Sequence, residues 1–228
     1  MRVIKAANEE GVKKIVLTSS VAAIIYGHEK DSFNEEDWTD TDAEGCSAYN
    51  KSKTYAEKAA WDFVNSDECN MELSVINPSL VLGPVLESDF GTSVELVKRF
   101  LNGGFPLAPN ISFGIVDVRD VAQLHLLALE SPQASGNRFI ASSETLAIPL
   151  ISEFLRKKIP EYQKRLPKGT APDFLIKLLG FFSPLMKTVA NQLGKTKELD
   201  NSKAKNILGW QPRSCLLYTS DAADESVC

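Results

Sequence analysis

Apolar residues recur along this chain with two different periods, and the alternation of those periods predicts an α/β protein. Residues 2–10 carry apolar side chains three and four positions apart, which is the spacing of one helix face, and Gly11 is placed to end that helix. The run Lys14-Ile-Val-Leu-Thr18 follows at once and has the short, β-branched composition of a buried strand. A strand that follows a helix this closely is typical of a parallel sheet.

A second helix and strand bring polar residues to one edge of the predicted sheet. Residues 47–65 have helical periodicity, and residues 73–77 form the next predicted strand. Two strands joined by a helix in this way make a right-handed βαβ unit, in which both carboxyl ends lie at the same edge. We therefore expect Ser20 and Asn77 at one rim, with Tyr49 above it near the start of the helix.

The rest of the chain continues this pattern and then becomes mainly helical. Residues 27–45 are rich in Asp, Glu, Asn and Gly and predict a long surface loop. We place a boundary near residue 143 and expect a partial α/β domain over 1–143, a small, mainly helical lobe over 144–214, and a disordered or non-native tail over 215–228. The remaining predicted strands lie at 111–116 and 137–141, and the remaining predicted helices at 92–101, 121–129, 148–159, 173–193 and 202–208.

Composition limits the classes of protein to which the chain can belong. Its 228 residues, 43% hydrophobic and 24% charged, are typical of a globular protein. The net charge of −5 argues against nucleic acid or an anionic membrane as the main partner. The most apolar stretch, 174–186, is too short to span a bilayer. The four cysteines are irregularly spaced and there are two histidines, so we expect neither a metal site nor a disulfide scaffold, and a reducing, cytoplasmic compartment.

Tyr49 and Lys53 are the pair of residues that suggests chemistry. Four residues apart on a helix, a phenol and an ammonium stand on one face and can contact a common ligand. Ser47 is placed to cap that helix, so that the helix dipole and Lys53 would both favour a Tyr49 phenolate. A partly buried ring and a solvated charge explain the same spacing, and Tyr26 and Lys30 share it without a helix. The spacing alone therefore does not decide between these interpretations.

Four motifs occur in order along the chain. They are Val16-Leu-Thr-Ser-Ser20, Tyr49-Asn-Lys-Ser-Lys53, Asn77-Pro-Ser-Leu-Val-Leu-Gly-Pro84 and Asp117-Val-Arg-Asp-Val-Ala122. The set resembles the extended short-chain dehydrogenase/reductase family, also called the NAD-dependent epimerase/dehydratase superfamily, and most of all its aldehyde and dihydroflavonol reductase branch. The resemblance extends over about residues 1–213 and implies a Rossmann-like, doubly wound parallel sheet with a helical substrate lobe.

The resemblance implies an oxidoreductase that reduces an aldehyde or ketone to an alcohol by hydride transfer from NAD(P)H. Ser20 matches the family's serine, which holds the substrate carbonyl. Tyr49 matches its proton donor, and Lys53 matches the lysine that binds the nicotinamide ribose and lowers the tyrosine pKa. These roles agree with the chemistry, because a carbonyl that receives hydride becomes an alkoxide and needs a proton donor and hydrogen bonds.

The implied cofactor is NADP, with NAD possible, and the chain matches only part of its site. Pro78 and Ser79 match the backbone stretch that flanks the nicotinamide, and Ser93 matches a weaker cofactor contact. The family's glycine-rich turn for the pyrophosphate has no match, because no two glycines here lie two or three residues apart. We therefore expect a carboxyl-terminal fragment that lacks the family's first strands and is inactive by itself.

Two alternatives to a reductase of small carbonyl compounds remain open. A sugar-nucleotide epimerase or dehydratase of the same family is one, although residues 82–110 show no evident basic cluster for a diphosphate. A non-catalytic, cofactor-binding scaffold of the same fold is the other, although such a protein has no need of Ser20, Tyr49 and Lys53 together. Neither the substrate nor the oligomeric state can be predicted from these residues.

Overall fold

A computed structural model describes residues 1–85 and 92–214 of the protein. The predicted tail at 215–228 lies outside the described residues, as does Gly91, next to the predicted cofactor contact Ser93. The strands are β1 (Lys14–Thr18), β2 (Ser32–Phe33), β3 (Glu72–Pro78), β4 (Leu80–Leu82), β5 (Ser112–Asp117), β6 (Arg138–Ala141), β7 (Glu144–Ala147) and β8 (Glu198–Leu199). The α-helices are α1 (Arg2–Glu9), α2 (Ala48–Val64), α3 (Thr92–Leu101), α4 (Val118–Glu130), α5 (Ile148–Lys158), α6 (Asp173–Gly180), α7 (Pro184–Ala190) and α8 (Ser202–Leu208).

Contacts between residues group the chain into two compact units that alternate along the sequence. The pattern of apolar residues predicts one boundary near residue 143. The two divisions differ because periodicity carries no information about which distant segments pack together. The first unit comprises Met1–Ser79, Arg119–Ser142 and Leu199–Pro212. The second unit comprises Leu80–Val118, Ser143–Glu198 and the segment that begins at Arg213.

The first unit is built on a three-stranded parallel sheet with the order β1-β3-β6. Near the carboxyl ends of these strands, Thr18 pairs with Ile76 and Pro78 pairs with Ala141. The ends of all three strands therefore lie at one edge of the sheet. This arrangement confirms the predicted α/β fold with a parallel sheet.

The core of the first unit encloses the central strand of its sheet. Strand β3 is buried from Leu73 to its end at Pro78, as expected for a parallel strand covered on both faces. Ile4 from α1 and Ala60 from α2 pack with Leu73 and Val75 in one apolar cluster. Each large side chain buried in this way contributes about 1.5–3 kcal/mol, so helices and sheet stabilise each other.

The second unit is built on a mixed sheet with the order β4-β5-β7. Strand β4 runs parallel to β5, whereas β7 runs antiparallel to it. The sequence pattern did not predict β7, because this strand has four residues, all of them only half-buried, and its partner lies far away along the chain. The core of this unit is apolar and includes Leu82, Val97, Phe100, Leu101, Ile115, Ile148 and Leu155.

The single helix predicted at 173–193 is two helices in the structure. Helix α6 ends at Gly180, and the Ser183 hydroxyl caps α7 by accepting a hydrogen bond from the Met186 N–H at 3.4 Å. Pro184 stands at the first position of α7, where its missing N–H leaves no helical hydrogen bond unmade, but a helix cannot continue through it unbroken. In the part of the chain that the structure describes, no helix has the length and apolar character needed to cross a membrane.

Candidate active site

Ser20 lies at the carboxyl end of β1, where the chain turns into a short 3-10 helix, Val21–Ala23. Its hydroxyl oxygen accepts a hydrogen bond from the Ala22 N–H at 3.1 Å and so caps this helix. Among the described residues, the hydroxyl donates no hydrogen bond. A serine hydroxyl can accept and donate at the same time. The capping role is therefore compatible with donation to a ligand.

Tyr49 and Lys53 lie on one side of α2, as the spacing predicts. The Ser47 hydroxyl accepts a hydrogen bond from the Asn50 N–H at 3.2 Å and caps the helix, which confirms that Tyr49 stands in the first turn. The Tyr49 side chain is 56% exposed, so a ligand can reach it. The Lys53 ammonium nitrogen lies 5.8 Å from the centre of the Tyr49 ring. It makes no hydrogen bond or ion pair with any residue that the structure describes.

The segment after Ser20 lies against the start of α2. Helix α2 packs on the 3-10 helix Val21–Ala23. Burial raises the pKa of Tyr26, and the charges that Tyr49 and Cys46 carry when ionised raise it further. The Tyr26 phenol therefore stays neutral near neutral pH and lies within electrostatic range of Tyr49. Helix α2 thus contacts the segment that Ser20 caps, and the juxtaposition of Ser20 with Tyr49 itself stays a prediction.

The residues matched to the cofactor site lie in different parts of the chain. Pro78 ends β3 at the same edge as Ser20, and the Ser79 N–H donates a hydrogen bond to the Ala141 carbonyl oxygen at 3.0 Å. Ser93 stands in the first turn of α3, in the second unit. The cofactor roles of Pro78, Ser79 and Ser93 stay predictions.

A buried network of charged and polar side chains lies below this edge, and the sequence did not predict it. Glu57, 1% exposed, accepts hydrogen bonds at Oε2 from the Ser19 hydroxyl at 2.5 Å and from Asn77 Nδ2 at 2.8 Å. Its Oε1 accepts one from Arg138 Nε at 2.6 Å. A signal for Glu57 was present in the sequence, because Glu57 lies three residues from both Thr54 and Ala60 on one face of the helix. An acid on a face that packs against the protein is buried with it.

Arg138 also binds the loop that the sequence predicted to lie on the surface. Its Nη1 donates hydrogen bonds to the backbone oxygens of Glu35 and Asp37, both at 2.7 Å, and its guanidinium carbon lies 3.8 Å from the centre of the Trp38 ring. The Glu35 carboxylate accepts a hydrogen bond from the Ile140 N–H at 3.0 Å, and burial raises the pKa of Glu35. Glu35 is thus buried within a loop whose neighbouring residues Asn34 and Glu36 are exposed, because polar partners on β6 satisfy its carboxylate and its backbone oxygen.

Comparison with known proteins identifies the family. The NAD dependent epimerase/dehydratase family matches residues 1–141. The chain belongs to this family. Membership confirms the resemblance inferred from the four motifs, and the reductases among its relatives agree with the branch that the motifs indicate.

Two sequence relatives and one solved structure show the branch of the NAD dependent epimerase/dehydratase family. The chain is 33% identical to the NADPH-dependent methylglyoxal reductase GRE2 of Saccharomyces cerevisiae over 239 residues, 97% of this chain and 66% of that protein. It is 38% identical to cinnamoyl-CoA reductase CAD2 of Medicago truncatula over 174 residues, 73% of this chain and 51% of that protein. The crystal structure of the yeast methylglyoxal/isovaleraldehyde reductase Gre2 complexed with NADPH superposes with a TM-score of 0.77 at 28% identity, over 99% of this chain and 67% of that one. The chain thus spans about two thirds of the length of GRE2 and about half of the length of CAD2.

Proposed function

We propose that this chain carries the catalytic residues of an NADPH-dependent reductase that converts a small aldehyde or ketone into an alcohol. The observation that carries the proposal is the placement of three polar groups on contacting segments of the first unit. Tyr49 is exposed, the Lys53 ammonium makes no hydrogen bond or ion pair with any described residue, and the Ser20 hydroxyl keeps its proton for donation. The similarity to NADPH-dependent reductases of carbonyl compounds supports this choice over an epimerase or a scaffold.

The residues present fit the nicotinamide end of such a cofactor. Lys53 has three N–H donors that no described residue uses, and they suit the hydroxyl groups of a ribose. Pro78 and Ser79 lie at the sheet edge, where ligands of open α/β sheets bind. For the phosphates, the sequence contains no glycine-rich turn of the kind that receives a pyrophosphate. This chain would therefore hold one end of the cofactor.

In the proposed reaction the three side chains manage the charge that develops on the substrate oxygen. The bound cofactor supplies the hydride that forms the new C–H bond. Tyr49 donates its proton to the carbonyl oxygen as the C=O π electrons move onto that oxygen, and Ser20 donates a hydrogen bond to the same atom. Lys53 stabilises the phenolate left on Tyr49, because an opposite charge favours the ionised form. An ordinary tyrosine has a pKa of about 10, so this assistance is needed near neutral pH.

Substitution of Tyr49 by phenylalanine tests the proposal in the complete protein that contains this chain. The change removes the acid and keeps the ring, so the rate of NADPH consumption with small aldehydes should fall by roughly 10²–10⁴-fold while the NADPH Kd stays unchanged. Tyr55→Phe is the matched control, because Tyr55 is 53% exposed on the same helix and its hydroxyl contacts only Thr41 among the described residues, at 3.2 Å. It should keep full activity. Residues 1–228 alone are a further sample, which we expect to be inactive because the sequence contains no glycine-rich turn for the phosphates.

The outcomes of this experiment separate the three candidate functions. Unchanged turnover in Tyr49→Phe would contradict the proposed proton donor. Conversion of a nucleotide sugar without net consumption of NADPH would favour the epimerase or dehydratase. Tight NADPH binding with no turnover of either class of substrate would favour the scaffold.

A further inference from the structure

We infer that Glu57 is a positioning residue of the proposed active site, whose carboxylate fixes the helix of Tyr49 and Lys53 to the turn that carries Ser20. The inference rests on the proposed function and concerns how its three catalytic groups keep their relative positions. It comes from the buried network, which the roles of Ser20, Tyr49 and Lys53 leave unexplained.

The first step is the link from Glu57 to Ser20. The Asn77 Nδ2 amide donates hydrogen bonds to Glu57 Oε2 at 2.8 Å and to the Ser20 backbone oxygen at 3.1 Å. Both partners are acceptors, which determines that the nitrogen of this amide faces them. The Ser19 hydroxyl gives Glu57 Oε2 a second bond to the same turn at 2.5 Å. One carboxylate oxygen is therefore linked to both residues of the turn, to Ser19 through its hydroxyl and to the Ser20 backbone oxygen through Asn77.

The second step is the link from Glu57 to the reacting groups on its own helix. Glu57 follows Lys53 by four residues and Tyr49 by eight, so the three side chains recur along one side of α2. At about 1.5 Å per residue, Tyr49 stands roughly 12 Å along the helix axis from Glu57. A helix is stiff over this distance, and rotation about its axis at Glu57 would carry Tyr49 with it. The Glu57 bonds therefore oppose a displacement of Tyr49 relative to Ser20.

The third step is the requirement for a carboxylate at this position. Three donors converge on it, namely the Ser19 O–H, the Asn77 N–H and the Arg138 N–H. An ionised carboxylate accepts at both oxygens, whereas a glutamine must present its NH₂ group to one side. Arg138, whose side chain is 8% exposed, supplies the opposite charge at 2.6 Å. Glutamine would thus break one side of the link without changing the size of the side chain.

A purely structural role predicts a different result from a positioning role. If Glu57 only stabilises the fold, its substitution lowers Tm and leaves kcat unchanged in the molecules that remain folded. If it positions Tyr49 against Ser20, kcat falls even at temperatures well below Tm, where the protein is folded, because catalytic geometry is sensitive to displacements of about 1 Å. The KM for the aldehyde and the NADPH Kd change less, since Glu57 contacts neither ligand.

The experiment compares Glu57→Gln with Leu73→Ala in the complete protein, once wild type and Tyr49→Phe have established the activity. Glu57→Gln should lower kcat roughly 100-fold, with KM changed by less than about threefold. Glu57→Asp keeps the charge but is one methylene shorter, so it should restore part of kcat. Leu73, 1% exposed in the apolar cluster of the first unit, gives a destabilised control with normal kcat. If Glu57→Gln and Leu73→Ala lost the same amount of Tm and had the same kcat, the inference would be overturned.

Two further measurements protect the test from failure of folding or of the proposed function. Ser19→Ala removes one bond and leaves the ion pair, and it should lower kcat about tenfold in a folded protein; unchanged kcat would overturn the inference. Hydrogen exchange at the Ala22 amide, which the Ser20 hydroxyl caps, requires no substrate. Exchange there should quicken in Glu57→Gln, and an unchanged rate would overturn the inference even if the protein proved not to be a reductase.

Discussion

The interior of the first unit contains charges, whereas the interior of the second unit is almost entirely apolar. In the first unit the side chains of the ion-paired Glu57 and Arg138 are 0% and 8% exposed, respectively. Ser19, Asn77 and Glu35 are buried around this pair. Among the buried polar and charged residues that the structure describes, only Asp117 and Ser152 belong to the second unit. A buried ion pair seldom stabilises a fold more than apolar residues of the same volume would. The difference suggests that the buried charges of the first unit fix the positions of its elements, whereas the interior of the second unit is stabilised mainly by the packing of apolar side chains.

The strongest test of this comparison is Arg138→Met, which leaves the Glu57 carboxylate buried without its cation. Removal of one partner from a buried pair costs about 3–5 kcal/mol of unfolding free energy. Urea unfolding followed by tryptophan fluorescence suits the test, because Trp38, Trp61 and Trp210 all belong to the first unit. Lys30→Met is the control, since it breaks the more exposed Lys30–Asp37 pair in the same unit. A control as destabilising as Arg138→Met would contradict the special cost assigned to burial.

The second test addresses the apolar interior. Leu155→Ala opens a cavity in the core of the second unit, where Leu155 is 0% exposed, and should cost about 2–5 kcal/mol. Leu150 lies on the same helix, α5, but is 56% exposed, so Leu150→Ala should stay within about 0.5 kcal/mol of wild type. Far-ultraviolet circular dichroism during urea unfolding measures both variants. Similar losses in the two would show that this core is not packed as described.

The smallest expected effect concerns Lys197, a half-buried lysine of the second unit. Burial lowers the pKa of Lys197 from 10.5 to about 8, and the nearby Lys195 adds to the shift. Between about 8 and 10.5 the unfolded chain binds a proton that the folded chain has released, so stability rises with pH across this window. Lys197→Met should therefore be more stable than wild type at neutral pH and should lack this rise. Lys195 is exposed, so Lys195→Met is the control and should keep most of the rise of Tm with pH. If Lys197→Met kept this rise, Lys197 would not be the group responsible for it.

The sequence predicted local structure well where local signals were strong. The helix predicted at 47–65 is observed at Ala48–Val64, because Ser47 provides a cap and the apolar spacing is regular. The strand predicted at 73–77 is observed at Glu72–Pro78, since Val75 and Ile76 favour a strand and the proline ends it. Both signals lie within a few residues of the element that they define.

Features that depend on distant pairing could not be predicted. Strand β7 exists because β5 lies beside it, and its own four residues have no distinctive pattern. Glu57 and Arg138 are 81 residues apart, so nothing near either of them shows that the two will neutralise each other. Motifs located Ser20, Tyr49 and Lys53, but the residues that hold them in place emerge only from the folded chain.

The way in which Arg138 binds the 27–45 loop has a consequence for sequence variation. Both of its hydrogen bonds to the loop go to main-chain oxygens, those of Glu35 and Asp37, which every amino acid possesses. These two bonds are therefore insensitive to the identity of an exposed neighbour such as Glu36. Homologues and engineered libraries can diversify such exposed positions and still present the same loop, provided that Arg138 and the side chains of Glu35 and Trp38 that face β6 are retained.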